Sequence, residues 1–195
     1  MNNTRLESIF LLIDQSNAED PNLENEDGKS VPKELLYGQR MTKMLEGYVD
    51  GQPSEPLAIA ARAQHICRWE IPREKYPMDR TGYLKWRTDL KKFHADKTSS
   101  LMQQLDYDAR TIERVSFLLQ KKQLKRDSGT QILEDIVCLV FLKYYFEDFS
   151  KKHNDEKIID ILQKTWRKMS EKGKKHALTL KFSPAASDLI KKALA

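Results

Sequence analysis

The chain has 195 residues and a net charge of +5; 39% of its residues are hydrophobic, 32% are charged, and Gly and Pro number only 7 each. This composition disfavours a disordered chain and a loop-rich all-β fold, and the length suits one domain. The two cysteines, Cys67 and Cys138, lie among apolar neighbours, as buried free thiols do, so we expect no disulfide framework and a cytoplasmic protein. The longest apolar run, residues 136–142, is too short to span a membrane, so no membrane partner is expected.

The excess positive charge is concentrated in residues 62–92. This stretch holds 9 basic and 4 acidic residues, whereas the rest of the chain has 25 of each. A local positive field attracts anions such as phosphate. The charge therefore predicts an anionic partner for this part of the chain.

In the first half of the chain, apolar spacing predicts helices over residues 4–17, 32–48, 55–69 and 80–105. The polar segment 18–31 is predicted to be an acidic loop. Pro72 and Pro77 interrupt the pattern, so residues 70–80 are predicted to form an extended basic connector.

In the second half, helices are predicted from 106 or 108 to 123, from 130 through the apolar run, and from 154 to 172. Residues 173–195 form a short C-terminal extension that contains a last helix. Residues 136–142 are apolar around the whole helix and should be the least exposed stretch. With no repeat and no strand predicted, the sequence indicates an all-α fold, a single compact multi-helix domain over residues 1–195.

Polar side chains interrupt the alanine-rich third helix. Arg62 and His65 are three residues apart, and His65 and Trp69 are four apart, so they share a face. One interpretation makes His65 a ligand or acid–base group beside anion-binding Arg62 and Arg68. The other makes it a hydrogen-bonded core histidine, with the arginines in structural salt bridges.

Aromatic and basic residues alternate between Trp69 and Trp86. Rings can stack on a base while arginine grips phosphate with two hydrogen bonds, which predicts a binding site for a phosphorylated, anionic small molecule. A proline-stiffened connector with solvated charges is the alternative. The predicted substrate-binding residues are Arg62, Arg68, Arg73, Arg80, Trp69 and Tyr76.

Four segments carry a family resemblance: ELLYGQRM (34–41), ARAQHICRWEIPR (61–73), YPMDRTGYLKWR (76–87) and LEDIVCLVFL (133–142). In these the chain resembles domain of unknown function family 4202 over nearly its whole length. The resemblance implies a compact all-helical domain without an assigned reaction.

The segment AARAQHIC also resembles the helix that carries the His-Asp pair of HD-type metal-dependent phosphohydrolases, with Ile66 in place of the Asp. This resemblance implies an HD-like helical bundle and a metal held by His65, His94 and Asp135. No histidine occurs in the helix 32–48, so Glu34 or Gln39 would have to serve as the earlier ligand.

Two functions follow as hypotheses. The first is a metal-dependent hydrolase of a phosphate-containing substrate, a nucleotide, with Mn, Fe, Ni, Co or Zn held by His65, His94, Asp135 and Glu34. The second is a non-catalytic module that binds a nucleotide or RNA through the same basic aromatic patch. No Walker loop, GxGxxG, HExxH or GxSxG motif is present to choose between them.

Overall fold

Helices form nearly all the regular structure of residues 4–194, the part of the chain that the computed structural model describes, and this confirms the all-α prediction. The chain divides into two compact units, Met1–Gln123 and Leu124–Ala195, and each is described by itself. The prediction of one domain over residues 1–195 stays a prediction.

The first unit has five helices and one hairpin among its described residues. In chain order they are α1 (Arg5–Ala18), β1 (Leu23–Glu26), β2 (Lys29–Pro32), α2 (Lys33–Tyr48), α3 (Glu55–Arg62), α4 (Arg80–Gln103) and α5 (Ala109–Leu119). Side chains from α1, α2 and α3 meet in the core of this unit, where Ile9, Ile13, Met41, Leu45 and Ile59 are almost fully buried.

The segment predicted as an acidic loop, residues 18–31, contains most of a β-hairpin, and that prediction was wrong. Strands β1 and β2 pair antiparallel around Asp27 and Gly28, whose φ angles of 51° and 81° suit a tight two-residue turn. The buried Arg40 of α2 binds the carboxylates of Glu24 and Glu26. The acidic residues therefore pin the hairpin to α2.

Helix α3 ends at Arg62, seven residues before its predicted end at residue 69. Residues 63–67 form turns. The last of them, Cys67, takes a left-handed conformation with φ at 49°, and its N–H donates to Oδ1 of Asn17 at 2.9 Å. Two 3₁₀ turns follow, Arg68–Glu70 and Arg73–Lys75, the second inside the predicted connector. This early turn moves His65 off a regular helix.

All the regular secondary structure of the second unit is helical in the residues described. It contains α6 (Ser128–Val140), a π-helical turn (Phe141–Tyr145), α7 (Phe146–Ser150), α8 (Asp155–Lys168), α9 (Glu171–Ala177) and α10 (Pro184–Leu194). Helix α6 begins two residues before its predicted start because Asp127 caps it. The predicted C-terminal extension, 173–195, includes most of α9 and all of α10, which packs against α8.

The prediction that residues 136–142 are the least exposed stretch was wrong, because residues 57–63 contain only one residue that is not buried. Ile136, Leu139 and Val140 have no exposed surface, but Val137 and Phe141 are half-buried. The helix therefore has a buried side and a partly accessible one. Both cysteines are buried, as predicted, and neither is part of a disulfide. None of the helices in the described part of the chain has the length and hydropathy to cross a membrane.

Candidate functional site

His65 lies at the centre of a polar cluster in the first unit. Its Nδ1 is 3.2 Å from Oε2 of Glu34, and its Nε2 is 2.8 Å from Nη1 of Arg68. The Tyr37 ring stacks on the imidazole, with ring centroids 4.0 Å apart. The His65 side chain keeps 20% of its surface accessible, so solvent reaches the cluster.

Arg68 fixes the tautomer of His65. A guanidinium only donates hydrogen bonds, so Nε2 must accept and the ring proton must sit on Nδ1, facing Glu34. Burial lowers the pKa of His65 well below its ordinary value, and the positive charge of Arg68 lowers it further. His65 is therefore a neutral imidazole at physiological pH.

Glu34 sits in the first turn of α2, where its backbone N–H donates to Oδ2 of Asp20 at 3.0 Å. Its side chain is only 8% exposed, and Oε2 makes no aligned hydrogen bond despite its closeness to His65. Burial raises the pKa of Glu34 to about 7, although Arg68 and Lys33 act in the opposite direction. A carboxyl group with this pKa can both accept and release a proton near neutral pH.

His94 approaches the cluster from α4 and is 3% exposed. Its ring centroid lies 5.9 Å from that of His65. Burial lowers its pKa well below the ordinary value, while a hydrogen bond with the backbone of Gln64 acts against this. Its Nε2 atom has no hydrogen-bond partner among the described residues. Two buried polar atoms, Glu34 Oε2 and His94 Nε2, thus lie near His65 without a hydrogen bond.

Four cations act on His65: Arg68, Lys121, Arg87 and Lys33 all depress its pKa through their charge. Arg68 also lies over the Trp86 ring, 5.0 Å from the centroid, and Arg87 lies over the Tyr83 ring at 5.8 Å. No carboxylate in the described part of the chain comes within 4.0 Å of either guanidinium. Of these four cations, only Arg68 was predicted as an anion ligand. Arg87 was counted in the sequence only as one of the basic residues of the stretch 62–92.

Of the other predicted anion-binding arginines, one lies beside the same indole as Arg68. Arg73 lies over the Trp86 ring, 6.0 Å from the centroid, and donates to the backbone carbonyls of Tyr76 and Asp79. Arg62 binds the Asp14 carboxylate and Thr42 Oγ1, as in the structural interpretation. Arg80 is exposed at the start of α4.

The two predicted aromatic ligands, Trp69 and Tyr76, are not open rings on which a base could stack. Tyr76 donates its hydroxyl to Asp89 at 2.9 Å, and Trp69 is half-buried in a 3₁₀ turn. The more exposed ring of this region is Tyr83, at 42%. Its centroid lies 6.0 Å from that of Trp86, so the ring borders the arginine-bearing indole.

The structure places Asp135, the fourth predicted metal ligand, in the second unit. Its carboxylate accepts hydrogen bonds from the N–H of Ser170 at 2.8 Å, from the Ser170 hydroxyl at 2.5 Å and from Gln131 at 3.0 Å. It also lies where a side chain on Gly173 would have to be. These contacts give Asp135 a structural role at the start of α9.

The arrangement of Glu34, His65 and His94 does not fit a metal ion. Nδ1 of His65 carries the ring proton and therefore cannot bind a metal, and the Arg68 guanidinium stands where a cation would approach Nε2. Among residues 4–194, no three His, Cys, Asp or Glu side chains are grouped to hold a metal. The metal site stays a prediction, and no chemical step is derived through it.

Comparison with known proteins identifies the class of this chain. Residues 7–190 match the family described as Domain of unknown function (DUF4202), so the chain belongs to that family. No curated protein and no solved structure matches it. The resemblance to HD-type phosphohydrolases therefore rests on the sequence pattern alone.

Proposed function

We propose that this chain is a hydrolase of a phosphate-containing substrate, with its active site at Glu34, His65, His94 and Arg68. One observation carries the proposal: a buried carboxyl group with a pKa near 7 adjoins a neutral histidine, which in turn contacts an arginine without a carboxylate partner. Strongly shifted pKa values beside a specific charged partner are typical of functional sites.

The phosphate would bind to Arg68 and Arg87. Both guanidinium groups act on His65, and a dianion between them would complete the charge balance of the cluster. The unpartnered Nε2 of His94 offers a hydrogen-bond acceptor for a substrate hydroxyl or a water molecule. These groups would position the phosphorus atom close to Glu34.

Glu34 would act as the general base. In its ionised form it takes a proton from water as the water oxygen bonds to phosphorus. The ester P–O bond breaks, and the leaving oxygen takes up the proton that Glu34 accepted. His65 would hold the carboxylate in place through its Nδ1 proton, and Arg68 would stabilise the charge that develops on the phosphoryl oxygens.

A nucleotide is the proposed substrate. The accessible ring of Tyr83 can stack on a base, and Arg87, which lies over this ring, also acts on His65. The same residue would therefore link a stacked base to a phosphate in the cluster. The two buried cysteines, neither of them in a disulfide, support a reducing compartment, and we propose the cytoplasm.

Phosphate release from nucleoside monophosphates, with p-nitrophenyl phosphate as a general probe, tests the proposal. Wild-type protein should release phosphate, Glu34→Gln should lower kcat by at least a hundredfold, and Arg68→Gln should raise KM. Arg110→Gln, which changes an exposed arginine of α5, is the matched control. Turnover that survives Glu34→Gln unchanged would contradict the proposed base.

A non-catalytic nucleotide- or RNA-binding module is the second candidate. It is favoured by the exposure of Met78, Tyr83 and Leu84 beside basic residues, a surface more extended than one small substrate needs. A single-stranded RNA should then bind with a steep dependence on salt, because several phosphates are neutralised. RNA binding without phosphate release from any nucleotide would favour this function.

A further inference from the structure

The second unit has a local excess of positive charge that does not show in the net charge of the whole chain. Residues 161–195 contain nine Lys or Arg and only two acidic residues, Glu171 and Asp188. Both acids pair with lysines in their own helices: Glu171 with Lys174 at 2.7 Å, and Asp188 with Lys191 at 3.7 Å. The C-terminal end of the chain is therefore strongly positive, independently of the cluster around His65.

An apolar cavity lies within this basic region. It has a volume of about 240 Å³ and opens partly to solvent. Leu142, Leu162, Phe182 and Ile190 contribute to its walls, while Leu178 and Leu194 line it and remain 65% and 37% exposed. Lys191 is also in its lining, although most of its side chain is exposed. A long lysine side chain can line an apolar wall with its methylene groups and leave its ammonium group in water.

We propose that this cavity binds a free fatty acid, with the hydrocarbon chain inside and the carboxylate at Lys191. The apolar walls exclude a polar ligand, because its groups would lose their hydrogen bonds to water. The surplus of lysines selects an anionic head, and the weak Asp188 contact at 3.7 Å leaves the Lys191 ammonium available to it. The cavity and its charge lie in one unit and do not depend on the proposed hydrolase.

Calorimetric titration of the full chain with hexanoate, octanoate and decanoate, below the concentrations at which they form micelles, tests the inference. Each two-carbon extension should raise the affinity by about tenfold, since each buried methylene contributes about a threefold to fourfold gain. Octanoate should bind more tightly than 1-octanol. Lys191→Gln should remove that difference, and Leu178→Ser should weaken both ligands.

Lys151→Gln is the matched control, because Lys151 is an exposed lysine of the same unit outside the cavity lining. Equal affinity for octanoate and 1-octanol would overturn the inference, as would the same loss in Lys151→Gln as in Lys191→Gln. Binding to vesicles of anionic phospholipid without binding of monomeric decanoate would also overturn it, and would assign the surface to a membrane instead.

Discussion

The Nη1 atom of Arg68 lies 2.8 Å from Nε2 of His65, so a permanent cation places the proton of a buried histidine on Nδ1, facing Glu34. Burial is the first cause of the low His65 pKa, and Arg68 is the second. Replacing Arg68 by Gln should therefore raise the His65 pKa towards its ordinary value. Nuclear magnetic resonance titration of the imidazole nitrogens measures this shift, and Arg110→Gln should not produce it. An unchanged titration would show that Arg68 does not act on His65.

Glu34 should make the stability of the protein depend on pH. Its pKa is 4.5 in the reference state and about 7 in the fold, so the native state holds the proton more tightly between these values. Its contribution is therefore present below about pH 4.5 and is lost as the pH rises through 7. Relative to wild type, Glu34→Gln should gain on the order of 3 kcal/mol of stability between pH 4 and pH 8.

Urea denaturation of both proteins at several pH values measures this difference. The histidines act in the opposite direction, because lowered pKa values make their contribution disappear as the pH falls below about 6.5, so only the comparison with wild type isolates Glu34. Glu46→Gln, on the exposed side of α2, should track the wild type at every pH. If the stability of Glu34→Gln followed that of the wild type at every pH, Glu34 would not be a buried, titrating carboxyl group.

Metal binding should be weak in the wild type and stronger after removal of Arg68. The guanidinium covers Nε2 of His65, and Arg68→Ala would uncover this ligand while Nε2 of His94 is already unpartnered. Elemental analysis after incubation with Mn, Fe, Ni, Co or Zn measures the bound metal, and Arg68→Ala/His94→Ala is the control. Stoichiometric metal in the wild type would support the metal-dependent form of the hydrolase. If neither the wild type nor Arg68→Ala binds metal, the metal-dependent form of the hydrolase is ruled out.

Gly38 should be intolerant of a side chain. A Cβ atom there would lie 2.8 Å from the carbonyl oxygen of Arg62, so Gly38→Ala should force α2 and α3 apart. We expect a loss of about 1–3 kcal/mol in the free energy of unfolding. Gly47, in the same helix, has nothing within 4 Å of the added atom, so Gly47→Ala should be neutral or stabilising by up to about 1 kcal/mol. Thermal denaturation of the two variants measures this difference. Equal stability of Gly38→Ala and Gly47→Ala would contradict the close packing of α2 on α3.

Asp135 should matter for stability. Three hydrogen bonds from Ser170 and Gln131 to its buried carboxylate predict that Asp135→Ala lowers the free energy of unfolding by about 3 kcal/mol or more. Asp160→Ala, at an exposed position of α8, should change it by less than about 1 kcal/mol. Chemical denaturation measures both. An unchanged free energy of unfolding in Asp135→Ala would exclude the structural role of Asp135.

The helical fold and most helix positions follow from the sequence alone, because amphipathic spacing and capping residues are local properties. The caps Asp79, Asp108 and Asn154 lie where the pattern placed helix starts. The local pattern predicted a role for His65 and Arg68, since polar residues on apolar helix faces need partners. Glu34 and His94 were predicted from the resemblance to HD-type phosphohydrolases. The Asp27-Gly28 turn was an available local signal for the hairpin, and the acidic composition obscured it.

The partner of each of these residues depends on how the helices pack against one another. Asn17 of α1 accepts a hydrogen bond from the backbone N–H of Cys67, in the turn after α3, a contact across fifty residues that no local pattern contains. Asp14 takes Arg62 out of the predicted anion site in the same way, whereas Arg68 has His65 and Trp86 as neighbours. Spacing along the chain fixes which side chains share a helix face. Charge pairing and burial depend on which faces meet, and that is a property of the packed fold.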